Sequence, residues 1–317
     1  MGSALAQQAT ELAAERNAPL LLFEAFDGYP ADYRIAFSES QDGNIIRRNK
    51  ITGESKSIRP TAANVFPAPP AGETIRYNWD TPMMFSPHDP GTLLVGANRL
   101  YKSTDRGDSW VALSGDLTTN TARDEIVTMG LTNRETTISR NDGISAWSTI
   151  VNLAESPKQA GVYFTGSDDG VVSMSRDGGR TWTNITSRLP GFPAGGYVSE
   201  VVPSRFDAQT VYVTVANYRV NDYKTYIWAS TDGGATFRSI NGNLAGEVVR
   251  TLTEDVRNPD VLYIGTETGI MLTLDRGRTW RRLKANMPTV RVDEITLHPR
   301  DNAMIVATHG RAIWILD

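Results

Sequence analysis

Cysteine is absent from all 317 residues, which removes disulfide scaffolds, Cys-ligated zinc and thiol nucleophiles together. Histidine is nearly absent as well, at three residues, so a histidine-based metal centre has little to draw on. No apolar run approaches the ~20 residues that a membrane-crossing helix needs. Positive charge is not in excess either. Lys and Arg number 32 against 36 Asp and Glu, a net charge of −4, and no broad basic field is present to hold nucleic acid. The pairs Arg47-Arg48 and Arg281-Arg282 are small exceptions that solvated strand edges explain. Residues 1–19 show neither the basic start nor the apolar stretch of an export signal. The missing cysteines leave the compartment open, because a large β-core needs no disulfide in an oxidising space.

What is present is a chain able to bury a sizeable core, with 40% hydrophobic and 21% charged residues. Its 27 glycines and 16 prolines are scattered, which suits many short strands joined by tight turns. The main signal is an internal repeat. Ser103-Thr-Asp-Arg-Gly-Asp-Ser-Trp110, Ser175-Arg-Asp-Gly-Gly-Arg-Thr-Trp182, Ser230-Thr-Asp-Gly-Gly-Ala-Thr-Phe237 and Thr273-Leu-Asp-Arg-Gly-Arg-Thr-Trp280 share one pattern, Ser/Thr-x-Asp-x-Gly-x-Ser/Thr-aromatic. Upstream of each stands a β-branched or aromatic run, such as Leu93-Leu-Val-Gly96 or Val261-Leu-Tyr-Ile-Gly265. Before each run comes a polar turn, such as Ser86-Pro-His-Asp-Pro90 or Arg257-Asn-Pro-Asp260. A fifth front half follows at His298-Pro-Arg-Asp301 and Met304-Ile-Val-Ala307.

Turn chemistry explains the residue choice. A tight reversal needs φ > 0, and the glycine at the fifth position accepts it without a Cβ clash. The aspartate accepts backbone N–H groups that the turn leaves unpaired. The aromatic residue re-enters the sheet and fills the wedge between neighbouring sheets. On this reading Asp105, Asp177, Asp232 and Asp275 are staples, with Trp110, Trp182, Phe237 and Trp280 as wedge fillers. One carboxylate per turn is too few oxygens for calcium. The implied fold is all-β, a β-propeller of about six four-stranded blades.

These turns resemble the Asp-box, or BNR, repeat of sialidases, xyloglucan-cleaving glycosidases and sortilin-type receptors. Residues 30–317 are similar to a bacterial branch of sortilin-like propellers. The segments that carry the likeness are Gly28-Tyr-Pro-Ala-Asp-Tyr-Arg-Ile-Ala36, Arg76-Tyr-Asn-Trp-Asp-Thr-Pro82, Gly166-Ser-Asp-Asp-Gly170 and Thr308-His-Gly-Arg-Ala-Ile-Trp-Ile-Leu316. Members of that branch are usually longer and secreted, with two propellers in tandem. This chain resembles their C-terminal half, which implies a periplasmic or extracellular location.

Residues 1–19 read as a helix or flexible tail and 20–317 as a single propeller. Strands are expected at Leu20–Phe23, joining the last blade, and at Tyr33–Phe37, Asn44–Arg48 and Lys56–Arg59 as a first blade. A surface linker at 60–73 precedes blades at about 75–116, 145–190, 196–243 and 246–287. Residues 289–317 supply three further strands and need a fourth from elsewhere, an early strand of the same chain being the economical donor. The insertions at 117–144 and 217–225 are long enough to be functional loops.

A propeller binds ligands at one mouth of its channel. His88 and His298 occupy matching turns and read as turn residues. His309 either caps a turn or acts at the mouth. Asp168, Asp169 and Glu267 fall at matching inter-strand turns, and Asp142 lies in the long insertion; these are the carboxylates available for glycoside hydrolysis. The arginine triad and tyrosine nucleophile of sialidases are not placed by any motif, and Arg311 stands alone. Trp79 can stack on a sugar or anchor a partner, while Trp147, Trp228 and Trp314 read as inter-blade packing. The expectation is therefore a non-catalytic propeller, without metal or cofactor, that binds a protein or joins a larger complex. The alternatives are a glycosidase using paired carboxylates and a lectin-like module.

Overall fold

In the computed structural model, residues 34–128, 131–132, 134, 146–284, 286–300 and 303–316 are described. The expected N-terminal helix, the strand at Leu20–Phe23 and Asp142 lie outside them. Six antiparallel sheets follow one another along the chain as the blades of a six-bladed β-propeller. The first holds β1 (Ile35–Glu39), β2 (Ile45–Asn49) and β3 (Ser55–Ser57). The second holds β4 (Met83–Phe85), β5 (Leu93–Gly96), β6 (Leu100–Ser103) and β7 (Val111–Ala112). A small hairpin, β8 (Val127–Thr128) and β9 (Leu131–Thr132), rises from the insertion that follows.

The third blade is β10 (Ile150–Glu155), β11 (Tyr163–Ser167), β12 (Val172–Ser175) and β13 (Thr183–Asn184). The fourth is β14 (Val198–Pro203), β15 (Val211–Val215), β16 (Ile227–Ser230) and β17 (Arg238–Ser239). The fifth is β18 (Val249–Glu254), β19 (Leu262–Thr266), β20 (Gly269–Thr273) and β21 (Arg281–Arg282). The last holds β22 (Val292–Leu297), β23 (Met304–Thr308) and β24 (Ile313–Leu316). Among the described residues no helix is long and apolar enough to cross a membrane.

One backbone bond aligns the incomplete first sheet with the others. Ile58 N donates to Ile45 O at 2.9 Å, as Leu113 N does to Leu100 O at 2.8 Å and Ile240 N to Ile227 O at 2.9 Å. The first sheet therefore holds the second to fourth strands of a blade.

Strands in the middle of a blade are covered on both faces by the neighbouring blades. This is why β5, β11, β12, β15 and β16 are buried throughout and do not alternate. The core is accordingly divided into wedges. Buried apolar side chains cluster between the first and second sheets, around Phe37, Ile45, Ile58 and Trp110. Equivalent clusters lie at each following junction, such as Val172, Ile185, Val201 and Phe237 between the third and fourth.

The four repeated turns join the third strand of a blade to the fourth, and their geometry is the same each time. Asp275 Oδ1 accepts Thr279 N at 2.8 Å and Thr273 Oγ1 at 2.7 Å, and its Oδ2 accepts Thr279 Oγ1 at 2.6 Å. Asp105, Asp177 and Asp232 make the matching bonds to Ser109, Thr181 and Thr236. The first hydroxyl of each turn accepts the glycine N–H, as Ser230 Oγ does from Gly234 at 2.8 Å. All four carboxylates thus bond within their own loops. Hydrogen bonds from Thr181 and Thr279 hold Asp177 and Asp275 at about 2.

The fifth-position glycines have φ of +87°, +87°, +85° and +84°. They also sit against the end of the preceding blade. A Cβ on Gly277 falls 2.8 Å from Ile240 Cβ, and one on Gly179 falls 2.9 Å from Leu113 Cβ. The aromatic residue completes the joint. Nε1 of Trp110, Trp182 and Trp280 donates across the junction to the carbonyls of Ile58, Leu113 and Ile240, at 2.9, 3.0 and 2.9 Å. Phe237 has no N–H, and in that blade Trp228 donates instead to Pro190 O at 3.0 Å.

Two outcomes follow from this joint. Gly277→Ala forces a side chain into both the left-handed region and Ile240, costing about 2 kcal/mol or more in urea unfolding. Gly178→Ala, with φ +76° and open space around it, costs closer to ~1 kcal/mol. Because Asp275 is depressed from 3.8 to about 2, its unfolded form takes up a proton first on acidification. The stability it contributes is present above the unfolded pKa and is lost as pH falls through that window. Asp275→Asn is expected to flatten the pH 4-to-2 decline of the melting temperature.

Candidate functional site

Successive strands run antiparallel, so the aspartate turns all lie at one end of the molecule. Loops between second and third strands, and the passages from blade to blade, lie at the other. That second end is where the ionisable groups gather. Its walls are loops 40–44, 76–82, 167–171, 190–197, 216–226, 267–268, 288–291 and 309–312.

The inner strands supply two of the central groups through a backbone irregularity. The pairing of β18 with β19 shifts between Val249 and Thr251, and that of β22 with β23 between Val292 and Glu294. The extra residues are Arg250 and Asp293, and a bulge re-aims its side chain. Arg250 Nε lies 3.5 Å from Asp293 Oδ1 and 3.8 Å from Glu267 Oε1. Arg291 grips Asp293 with both ends of its fork, Nε to Oδ1 at 2.8 Å and Nη2 to Oδ2 at 3.2 Å. His309 Nδ1 stands 3.7 Å from Asp293 Oδ2, with its side chain 68% exposed.

Two tyrosines and a third arginine complete this side. The Arg219 guanidinium lies over the Tyr197 ring, 4.4 Å from its centroid, and Arg250 lies 5.2 Å from the centroid of Tyr218. Burial pushes the Tyr218 phenol up, but Arg250 and Arg219 outweigh it and bring the pKa below the ordinary value. Tyr197 is pushed up to about 12 by burial. Asp80 touches solvent yet is crowded by the walls of the mouth. Desolvation raises its pKa, nearby Asp293 raises it further, and Arg250, Arg219 and Arg291 oppose the rise.

The expected carboxylates Asp168 and Asp169 are engaged otherwise. Asp168 is fully buried and accepts Thr149 N at 2.8 Å, Thr149 Oγ1 at 2.7 Å and Asn78 Nδ2 at 3.2 Å. Burial nevertheless raises it to about 7. Asp169 accepts Ser167 Oγ at 2.5 Å, Thr119 N at 2.9 Å and Thr119 Oγ1 at 2.6 Å, holding the start of the long insertion to the third blade. Both therefore tie neighbouring segments together, whereas Glu267 joins the Arg250 network. Arg311 is exposed, and its carbonyl accepts Trp314 Nε1 at 2.9 Å. Trp79 is 46% exposed on the rim, unlike the buried Trp228. Among the described residues no group of three or more His, Asp or Glu is arranged to hold a metal ion.

Glu39 is a buried carboxyl that the repeat gives no warning of. Gly96, Gly166 and Gly265 end their strands where a Cβ would strike the next blade. Glu39 occupies the equivalent place in the first sheet, as its pairing with Ile45 shows. Gly43 N donates to its Oε1 at 3.0 Å, while Oε2 is buried with no hydrogen-bond partner among the described residues. Desolvation, aided by Asp80 and Asp42, lifts it to about 8.

Arg219, Arg250, Tyr197, Tyr218, Asp80 and Asp293 were not singled out by sequence reasoning. Three of them sit in segments that the sequence marks out, Asp80 beside Trp79 and Tyr218 and Arg219 in the 217–225 insertion. Arg250 and Asp293 look like ordinary strand residues until the bulge is seen.

The pH response of Glu39 is a direct check. Between 4.5 and about 8 the native state keeps a proton that the unfolded chain releases, so stability falls as pH rises through that window. Glu39→Gln is expected to lessen that decline, read as melting temperature against pH from 5 to 8, with the part due to Asp168 remaining below about pH 7.

The fold has solved counterparts. The GH74 xyloglucanase of Xanthomonas campestris is 19% identical with a TM-score of 0.61, over 92% of this chain and 44% of that one. PorZ, a surface component of the type-IX secretion system of Porphyromonas gingivalis, is 13% identical with a TM-score of 0.56, over 90% and 39%. BT4673, an extracellular domain from B. thetaiotaomicron, is 13% identical with a TM-score of 0.55, over 90% and 30%. This chain thus spans less than half the length of each, and at these identities the likeness is one of fold. No curated protein matches it. Residues 225–313 match the family model described as Sortilin-Vps10, sortilin and neurotensin receptor 3. The chain is thus a six-bladed β-propeller, and within it residues 225–313 are similar to the sortilin family model.

Proposed function

We propose that this propeller is a non-catalytic module that binds another protein at the charged mouth, outside the cytoplasm or within a larger assembly. The observation that carries the reading is the rim. Trp79, Val220 and Tyr223 are 46%, 57% and 55% exposed on two loops of that end. Both loops belong to the same end of the propeller, and Arg219 on one acts electrostatically on Asp80 of the other. Aromatic residues and arginine around a partly desolvated centre are the composition of interface hot spots. The repeated turns act as Asp-box staples at the far end, since their carboxylates are saturated by their own loops. PorZ, a surface component, and BT4673, an extracellular domain, support the location by analogy of fold.

A second reading rests on Asp80 and Asp293. A carboxyl with a raised pKa that shares the mouth with an arginine-paired carboxylate is the division of labour that glycoside hydrolysis requires. The fold likeness to xyloglucanases gives it a substrate class to try.

Photo-crosslinking residues placed at Trp79 and Val220 are expected to trap a protein in the cells of origin, with Leu274 on the opposite end trapping none. Equal trapping at all three positions, or multiple-turnover release of sugar from xyloglucan that Asp80→Asn abolishes, removes the protein-binding reading.

A further inference from the structure

We infer that the mouth recognises an internal acidic side chain of the partner, an Asp or Glu flanked by apolar residues, and that Arg219 receives its carboxylate; this rests on the protein-binding reading above. Arg250 and Arg291 are committed to Asp293, directly and in part bidentately. Arg219 has no carboxylate within ion-pair distance among the described residues. Its side chain is exposed at the mouth, and Tyr197 supports the guanidinium from one side at 4.4 Å. A guanidinium carries its donors in one plane, so an aromatic ring beneath it steadies the group and leaves the fork available.

The loop that carries Arg219 is already organised. It forms a short 3-10 turn, Tyr218–Val220, closed by Asn221 in the left-handed conformation. Asp222 locks it, accepting Asn217 Nδ2 at 2.9 Å, Tyr226 OH at 2.7 Å and Lys224 N at 3.2 Å. Binding therefore loses little conformational freedom at this loop. Arg250 and Arg219 both stand near Tyr218, 5.2 and 6.0 Å from its ring centroid, so Arg250 adds positive potential at this place. Val220 and Tyr223 on the same loop, and Trp79 opposite, offer apolar contact beside the charge. A carboxylate with apolar neighbours is complementary to that arrangement, whereas a purely acidic stretch meets Asp80, Glu267 and Asp293.

The probe is a nonapeptide of three Glu-Gly-Leu repeats with both termini blocked, titrated by calorimetry alongside its Gln-Gly-Leu counterpart. Wild-type protein is expected to bind the Glu peptide, more weakly as salt rises, and the Gln peptide at least about tenfold more weakly, the ~1.4 kcal/mol scale of one charge-assisted contact. Arg219→Gln is expected to match that loss at an unchanged melting temperature, and Arg219→Lys to fall between, since it keeps the charge without the fork. Equal affinity for both peptides, wild-type affinity in Arg219→Gln, or tighter binding of polygalacturonate than of the Glu peptide overturns the inference. A protein cross-linked from Val220 that survives Arg219→Gln also overturns it but leaves the protein-binding reading standing. Loss of trapping at both Val220 and Trp79 in the wild-type protein removes that reading as well.

Discussion

The rest of the molecule depends on the joint that each aspartate turn makes with the blade before it. The carboxylate gathers one backbone N–H and two hydroxyls of its own loop, and the first hydroxyl gathers the glycine N–H. That closes the loop tightly enough for the glycine to lie on Ile58, Leu113 or Ile240 of the preceding blade. The neighbouring tryptophan then donates to the carbonyl of the same residue. At these three turns glycine is required twice over, by its φ and by the absence of room for a Cβ, whereas at Gly234 the φ alone requires it. A local turn preference is thereby converted into an inter-blade contact, which is what a structure built of stacked wedges needs most.

With one end fastened in this way, the other is free to vary. The second-to-third strand connection is tight at 97–99 in the second blade and extends to 216–226 in the fourth. The short connections pack; the long one carries Tyr218, Arg219, Val220 and Tyr223. Ionisable groups from the second, fourth, fifth and sixth blades meet there, and low dielectric makes each alter the others. Asp80 is raised by desolvation within the walls of the mouth and by Asp293, while Tyr218 is lowered by two arginines against the pull of its own burial. Glu39 is a departure from the packing rule of the repeat, a carboxyl where three other blades have glycine.

The all-β character, the order of the blades and the turn residues were legible in the chain because they rest on short-range rules. β-branched and aromatic strand runs, φ > 0 glycines and Asx-type turns all act over fewer than ten residues, and the repeat multiplies the signal. The mouth was legible only in part. Glu267, His309 and Trp79 were anticipated there. Asp168 and Asp169 were anticipated too, but their oxygens are occupied by Thr149, Asn78 and Thr119, partners 19 to 90 residues away. No spacing in the sequence announces such partners.

By itself, then, the sequence determined which segments become strands, where they reverse and that their faces must be buried against one another. Tertiary structure alone decided which charges meet. Arg250 and Asp293 are brought side by side by bulges in two separate inner strands, and Arg219 reaches Tyr197 across a loop boundary. A bulge shifts the pleat by one residue without leaving a compositional mark, and ring curvature sets distances between blades that lie far apart in the chain. Those two geometric facts, rather than any motif, make the mouth.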